Sequence, residues 1–289
     1  DILQIALKGS MGEYTLDELR TEVYGTENIA KLGVDGRYKD NYLTTDEIKL
    51  AEASVICFAE QGKGTSNVCI DSEKMRQHLE RIKAAGKVLS KGQQDALEMI
   101  CTTKDRLSLV QGDAGAGKSF AMGEVKRTME AEGFTVRGFA PTGKASQELE
   151  KEGVDSMTVD KYLASPYHQG MVGENEVWLI DESGMMGSKK MDAFLRHAQK
   201  KNAKVVLIGD TKQFQAVEQG KIFQDLQDYT KVAKTEITEV KRQETEHSKE
   251  VVSAIKAKDF EKAFSVLENN NSFKEIKIRS SRLELIKTE

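Results

Sequence analysis

Proline is almost missing, with two in 289 residues, where about 5% is usual. Few rigid turns therefore interrupt the chain, and long unbroken helices are expected. Cysteine is scarce as well. Cys57, Cys69 and Cys101 are odd in number and widely spaced, which excludes a disulfide framework or a zinc knuckle and fits a reducing cytosol. Aromatics make up 6%, with a single Trp, and no base-reading motif stands out. Neither sign of charge dominates: 43 Lys and Arg face 47 Asp and Glu, for a net charge of −4. A global basic footprint for duplex DNA is thus absent, while a local basic groove for a single strand stays open. No apolar run approaches the ~18 residues that a membrane span needs. The chain starts at Asp1 with neither an initiator Met nor a basic-then-apolar leader, so it is read as a piece of a longer, cytoplasmic protein. Four scattered histidines (His78, His168, His197, His247) form no metal triad.

What is present is a globular, well-solvated composition, 38% apolar and 31% charged. Residues 1–88 read as a helical domain. Thr15 with Glu18 and Thr45 with its following Asp-Glu mark capped helix starts. The turn-prone glycines between them leave two readings, a winged-helix-like domain or a plain helical spacer. From residue 89 the pattern changes to strand, turn, helix, repeated. Strands are expected at 107–110, 135–140, 177–180 and 205–208, with helices from Ser119 to about Glu132 and through Ala145 to Lys151. The unbroken apolar runs Val177-Trp178-Leu179-Ile180 and Val205-Val206-Leu207-Ile208 suit a parallel sheet buried on both faces. That pattern predicts an α/β fold with a parallel sheet over 89–245 and ligands at the carboxyl ends of its strands. Residues 246–289 read as a helical linker, Ser248 to Glu268, followed by a strand at 273–278 and an unfinished helix.

Gly112-Asp113-Ala114-Gly115-Ala116-Gly117-Lys118-Ser119 is a complete phosphate-binding loop between a strand and a helix. Gly112, Gly115 and Gly117 let backbone N–H groups approach phosphate oxygens. Lys118 is expected at the β- and γ-phosphates of ATP, and Ser119 at a Mg²⁺ ion. The strand 177–180 runs straight into Asp181-Glu182. Two carboxylates beside such a loop suit division of labour: Asp181 for the Mg²⁺ shell, Glu182 as general base for the attacking water. The third apolar strand ends at Gly209-Asp210-Thr211-Lys212-Gln213, where an amide can sense a γ-phosphate, or where the chain simply turns into a helix.

The set resembles the superfamily-one DNA helicases of the RecD type, most closely the helicase part of the conjugative relaxase-helicases. The resemblance is carried by Leu89-Ser90-Lys91-Gly92-Gln93-Gln94, the phosphate loop, Ala140-Pro141-Thr142-Gly143-Lys144-Ala145, Asp181-Glu182-Ser183-Gly184-Met185, Gly209 to Phe214, and Arg242-Gln243, spread over 89–243. It implies a RecA-like fold and roles for single residues. Gln93 would read the adenine edge, Gln213 would couple the γ-phosphate to the DNA groove, and Arg242 would contact the γ-phosphate. Thr142, Gly143, Lys144 and, further on, Thr158 would contact the backbone of single-stranded DNA. An N-cap role for Thr142 is compatible with that contact.

This sequence departs from the family pattern in two small ways and one large one. Ser183-Gly184 stand where Ala-Ser is common, and Phe214 where Leu is usual. Nothing after Gln243 resembles the second RecA-like domain or its arginine. The resemblance therefore implies a first motor domain, weakly active or inactive alone. Its partners in the longer chain would be a second RecA-like domain and a relaxase domain. A nucleotide-gated module that binds single strands or a transfer partner without moving is the alternative. A small-molecule kinase is a weaker third option, since kinases need neither Gln93 nor the Gly209-Asp210 run.

Overall fold

The computed structural model describes residues 42–113, 115–170, 175–211 and 221–238, together with Glu18, 29–32, 250–251, 253–255 and 259–269. Strand β1 (Ile29–Leu32) pairs antiparallel with β2 (Tyr42–Thr45). Thr45 then opens α1 (Asp46–Gln61). Its side chain accepts from the Ile48 N–H, and Asp46 and Glu47 occupy the first turn, where the helix dipole favours carboxylates. Asp71 caps α2 (Ser72–Ala84) and Ser90 caps α3 (Lys91–Thr102) in the same manner.

Beyond them the chain alternates: β3 (Leu107–Gly112), α4 (Lys118–Ala131), β4 (Thr135–Ala140), α5 (Gly143–Lys151) and β5 (Ser156–Thr158). Short helices α6 (Val159–Ala164) and α7 (Pro166–Gly170) lead towards β6 (Glu176–Ile180). Then come α8 (Ser188–Lys200), β7 (Lys204–Gly209), α9 (Ile222–Tyr229) and β8 (Lys234–Ile237). Strands β3 to β8 form one sheet in the order β5-β4-β6-β7-β3-β8, every neighbouring pair parallel. This is the parallel α/β sheet that the alternating pattern predicts, in the RecA-like form that the family resemblance implies.

Both faces of the sheet are buried, and residue parity decides which. Trp178, Ile180, Val205 and Leu207 pack against Val55 and Phe58 of α1, Tyr162 of α6, Phe194 of α8 and Phe223 of α9. Val177, Leu179, Val206 and Ile208 face the other way, onto Leu97 and Ile100 of α3, Met122 and Val125 of α4, and Leu149 of α5. Period-two alternation within wholly apolar runs builds this three-layer arrangement. On the first face Phe139, Tyr162, Trp178 and Phe194 stack edge-on or tilted with centroids 4.9–5.7 Å apart. Such pairs add about 0.5–1.5 kcal/mol each beyond their burial. Residues to Glu239 make one compact unit, so α1 and α2 lie in the same unit as the sheet.

The amino end of β7 carries a fully buried lysine. Lys204 Nζ donates to Val68 O at 2.9 Å and Thr103 O at 2.7 Å. Burial pulls its pKa down to about 8, and the two carbonyls compensate part of the lost hydration. The ammonium thereby ties the segments before α2 and after α3 to the sheet.

The long helices expected from proline scarcity are not what the described residues show; the longest helix, α1, has 16 residues. Glycine ends helices here in place of proline. Gly86, Gly133 and Gly153 adopt φ of +74°, +86° and +86° just past α2, α4 and α5. At Gly133 the Phe134 N–H bonds Met129 O at 3.1 Å and the Gly133 N–H bonds Glu130 O at 3.0 Å. This doubled closure demands a left-handed residue at its corner.

Val240–Glu289 form a second compact unit. In it α10 (Phe260–Asn269) begins at Asp259, whose carboxylate accepts from the Lys262 N–H at 3.1 Å. The single helix expected from Ser248 to Glu268 is therefore broken at a new cap. Of the other expectations, the strand at 273–278, the helix from Ser280 and the Thr15 cap lie outside the described residues.

Candidate nucleotide site and its polar rim

The carboxyl edge of the sheet presents the motifs in strand order. Thr158 ends β5, Thr142 to Lys144 follow β4, Asp181 and Glu182 follow β6, Asp210 follows β7, and the phosphate loop follows β3. Gln213 and Arg242 lie outside the described residues.

Gly115 and Gly117 take φ of +76° and +75°, a conformation that turns successive N–H groups inward and that side-chain-bearing residues adopt only with strain. Gly117 is also the N-cap of α4 and supplies no capping side chain, leaving first-turn N–H groups for an outside acceptor. Lys118 is buried, its Nζ donating to Gly112 O at 2.8 Å and Asp113 O at 3.4 Å. It folds back over Gly112, where a Cβ would come within 2.5 Å of its Cδ. Ser119 is half-buried in the same helical turn.

Gln93 has two holds on its surroundings. Its Oε1 accepts from the Ser90 N–H at 3.0 Å while Ser90 Oγ accepts from the Gln93 N–H, a reciprocal capping box. Its Nε2 donates to Ala116 O at 3.1 Å and Gly117 O at 3.2 Å. Gln93 is buried. The Ser90-x-x-Gln93 spacing is itself the sequence signal for this capping box.

Asp181 is 4% exposed. Burial pushes its carboxyl up to about 6, helped by the neighbouring Glu182 charge and opposed by the Glu182 N–H that donates to Oδ1 at 2.8 Å and by the Lys118 ammonium. A buried carboxylate so short of positive charge suits a divalent cation. Glu182 sits at φ +52°, ψ +34°, a left-handed conformation that costs a non-glycine residue roughly 1–2 kcal/mol. Next to it Ser183 is buried, its Oγ donating to Ile208 O at 2.8 Å. The Ser in place of the family's Ala thus stitches β6 to β7. The close approach depends on Gly209, since a Cβ there would lie 3.0 Å from Ser183 Oγ and 2.9 Å from Phe223 Cε1.

Thr142 and Thr158 both act as N-caps, accepting from the Ala145 N–H at 3.2 Å and the Lys161 N–H at 3.1 Å. Each keeps its own O–H as a donor. Thr158 ends β5 and Thr142 follows the adjacent β4, with Ala140 paired to Thr158. Lys144 is exposed, and a Cβ on Gly143 would meet nothing within 4 Å. These four residues form an open polar rim beside the nucleotide residues.

Residues 88–277 match a family described as AAA domain. The conjugal transfer protein TraA of Rhizobium radiobacter is 30% identical over 250 residues, 86% of this chain and 21% of that protein. The multifunctional conjugation protein TraI of Escherichia coli is 34% identical over 190 residues, 63% of this chain and 11% of that protein. The ATP-dependent RecD2 DNA helicase of Deinococcus radiodurans is 32% identical over 152 residues, 48% of this chain and 20% of that protein. The chain thus matches between about a tenth and a fifth of the length of these relatives.

Proposed function

The chain belongs to the AAA domain family, and from that premise we propose that it is the ATP-binding first motor domain of a cytoplasmic DNA helicase. It would move on single-stranded DNA, in conjugative DNA transfer. The observation that carries this reading is the sharing of one sheet edge by a glycine-shaped anion cradle and the adjacent carboxylates of buried Asp181 and half-buried Glu182, with the rim of Thr142, Lys144 and Thr158 alongside. Names of the relatives support the same reading, two of them conjugation proteins and one an ATP-dependent DNA helicase.

In this reading Lys118 moves from its loop carbonyls to the phosphates, and Gln93 gives up one loop bond to the adenine. Ser119 and Asp181 hold a Mg²⁺ ion, which when bound supplies positive charge to phosphate oxygens. Glu182 accepts a proton from the water that attacks the γ-phosphorus. Gln213 and Arg242 are proposed at the γ-phosphate on their match to the family motifs. Residues 246–289 are proposed as the approach to a second RecA-like domain.

Lys118→Ala tests the reading directly. Removing one charge-assisted contact is expected to weaken Mg-ATP binding by about 1.5–3 kcal/mol, roughly ten- to hundredfold. Calorimetric titration of both proteins measures this, and equal affinities would refute the site.

DNA is proposed to lie along the rim through its sugar-phosphate backbone, because hydroxyls and Lys144 suit phosphates and not base edges. Binding of a labelled oligonucleotide should vary little with base sequence and fall gently with salt, since few phosphates are neutralised. A flat salt response, or a strong preference for one sequence, contradicts this placement.

A further inference from the structure

Gln111 is the penultimate residue of the phosphate-loop strand, directly before Gly112, and no motif includes it. Its half-buried amide nonetheless bonds to both the turn after β7 and α9. Nε2 donates to Asp210 Oδ1 at 3.1 Å. Oε1 accepts twice, from the Thr211 N–H at 3.3 Å and from Gln227 Nε2 of α9 at 3.0 Å. One side chain on the strand that launches the phosphate loop thus grips the turn that leaves β7, across a backbone register in which Gln111 pairs with Gly209.

We infer that Gln111 is a positioning residue, holding the Asp210 carboxylate and the Thr211 backbone in register with the phosphate loop during turnover. This inference rests on the ATP-hydrolysing reading above. Three features of the structure favour it over a merely structural role. The backbone of β3 is already fixed by ladder pairs with β7 and β8 on both sides, so the amide is not needed to hold the strand. The amide uses both its donor and its acceptor on a single turn, which fixes that turn's orientation as well as its distance. And the residues it grips are the first two after β7, upstream of Gln213.

Gln111→Glu separates the parts of this grip. A carboxylate of the same shape still accepts from Thr211 N–H and Gln227 Nε2, but it cannot donate to Asp210 and repels it instead. Once protonated, the same carboxyl donates again. The titratable group facing it is Asp210; Thr211 N–H and Gln227 carry no charge. Three things are measured in a chain long enough for wild type to hydrolyse ATP: thermal unfolding, Mg-ATP affinity, and kcat against pH. The variant is expected to melt like wild type, to bind Mg-ATP within about twofold, and to lose at least tenfold in kcat at pH 8. Its kcat relative to wild type should then climb as pH falls towards 6. A ratio near one at every pH, or a loss of affinity equal to the loss of kcat, overturns the inference. Absence of ATP hydrolysis by wild type would fail the functional reading instead, a result distinguishable from either.

Discussion

Glu182→Gln is expected to bind Mg-ATP as wild type does while hydrolysing it about 10²–10⁴-fold more slowly, the usual contribution of a positioned general base. The amide keeps the size and the left-handed backbone of Glu182, so the fold and the Glu182 N–H bond to Asp181 survive. What is lost is the ability to take a proton. Single-turnover hydrolysis together with equilibrium binding reads both halves. A variant that turned over normally would show that another group, or water alone, accepts the proton.

The second large effect concerns Asp181 and has two opposite signs. Its carboxyl is raised to about 6 by burial first and by the Glu182 charge second. A raised acid binds more protons folded than unfolded between about pH 4 and 6, so its contribution to stability declines as pH rises through that window. Above the window the ionised group costs about 3 kcal/mol, from roughly two pKa units at 1.36 kcal/mol each. Asp181→Asn should therefore raise the denaturation midpoint at pH 8 in the absence of nucleotide and metal. That advantage should nearly vanish at pH 4. The same substitution removes the group proposed to hold Mg²⁺, so added Mg-ATP should stabilise the variant much less than wild type. Equal unfolding free energies for the two proteins at pH 8 would contradict the electrostatic account.

These effects rest on an edge whose outline is legible in the sequence. The runs 177–180 and 205–208 announce β6 and β7 to within a residue at each end, because residues buried on both faces must be apolar at every position. The 135–140 strand matches β4 at both ends. Edge strand β8 escaped because Lys234-Thr235-Glu236-Ile237 has one buried side and little to mark it. Gln111 escaped for a different reason: its partners Asp210, Thr211 and Gln227 stand about 100 residues away, and a glutamine at a strand end has no local signature. The helix ends near Glu132 and at Lys151 are legible too, but proline scarcity is a poor guide to helix length, because the glycines after α2, α4 and α5 end helices as effectively. The N-cap role of Thr142 is legible in the sequence, whereas that of Thr158 depends on a six-residue helix too short to show a pattern.

The strand order has a consequence for how the protein is made. The phosphate-loop strand β3 pairs with β7 and β8 only, Leu107 with Val205 and Leu109 with Lys234. At roughly 5–20 residues per second on a ribosome, β3 waits on the order of 5–20 seconds for its first neighbour. Meanwhile β4 and β5, only about 20 residues apart, can already be side by side. Pairings this distant in sequence also slow refolding from denaturant. During synthesis the apolar side chains Leu107, Leu109 and Val110 therefore emerge long before anything can cover both of their flanks. The ATP-binding loop is encoded early, but it acquires its supporting strands among the last.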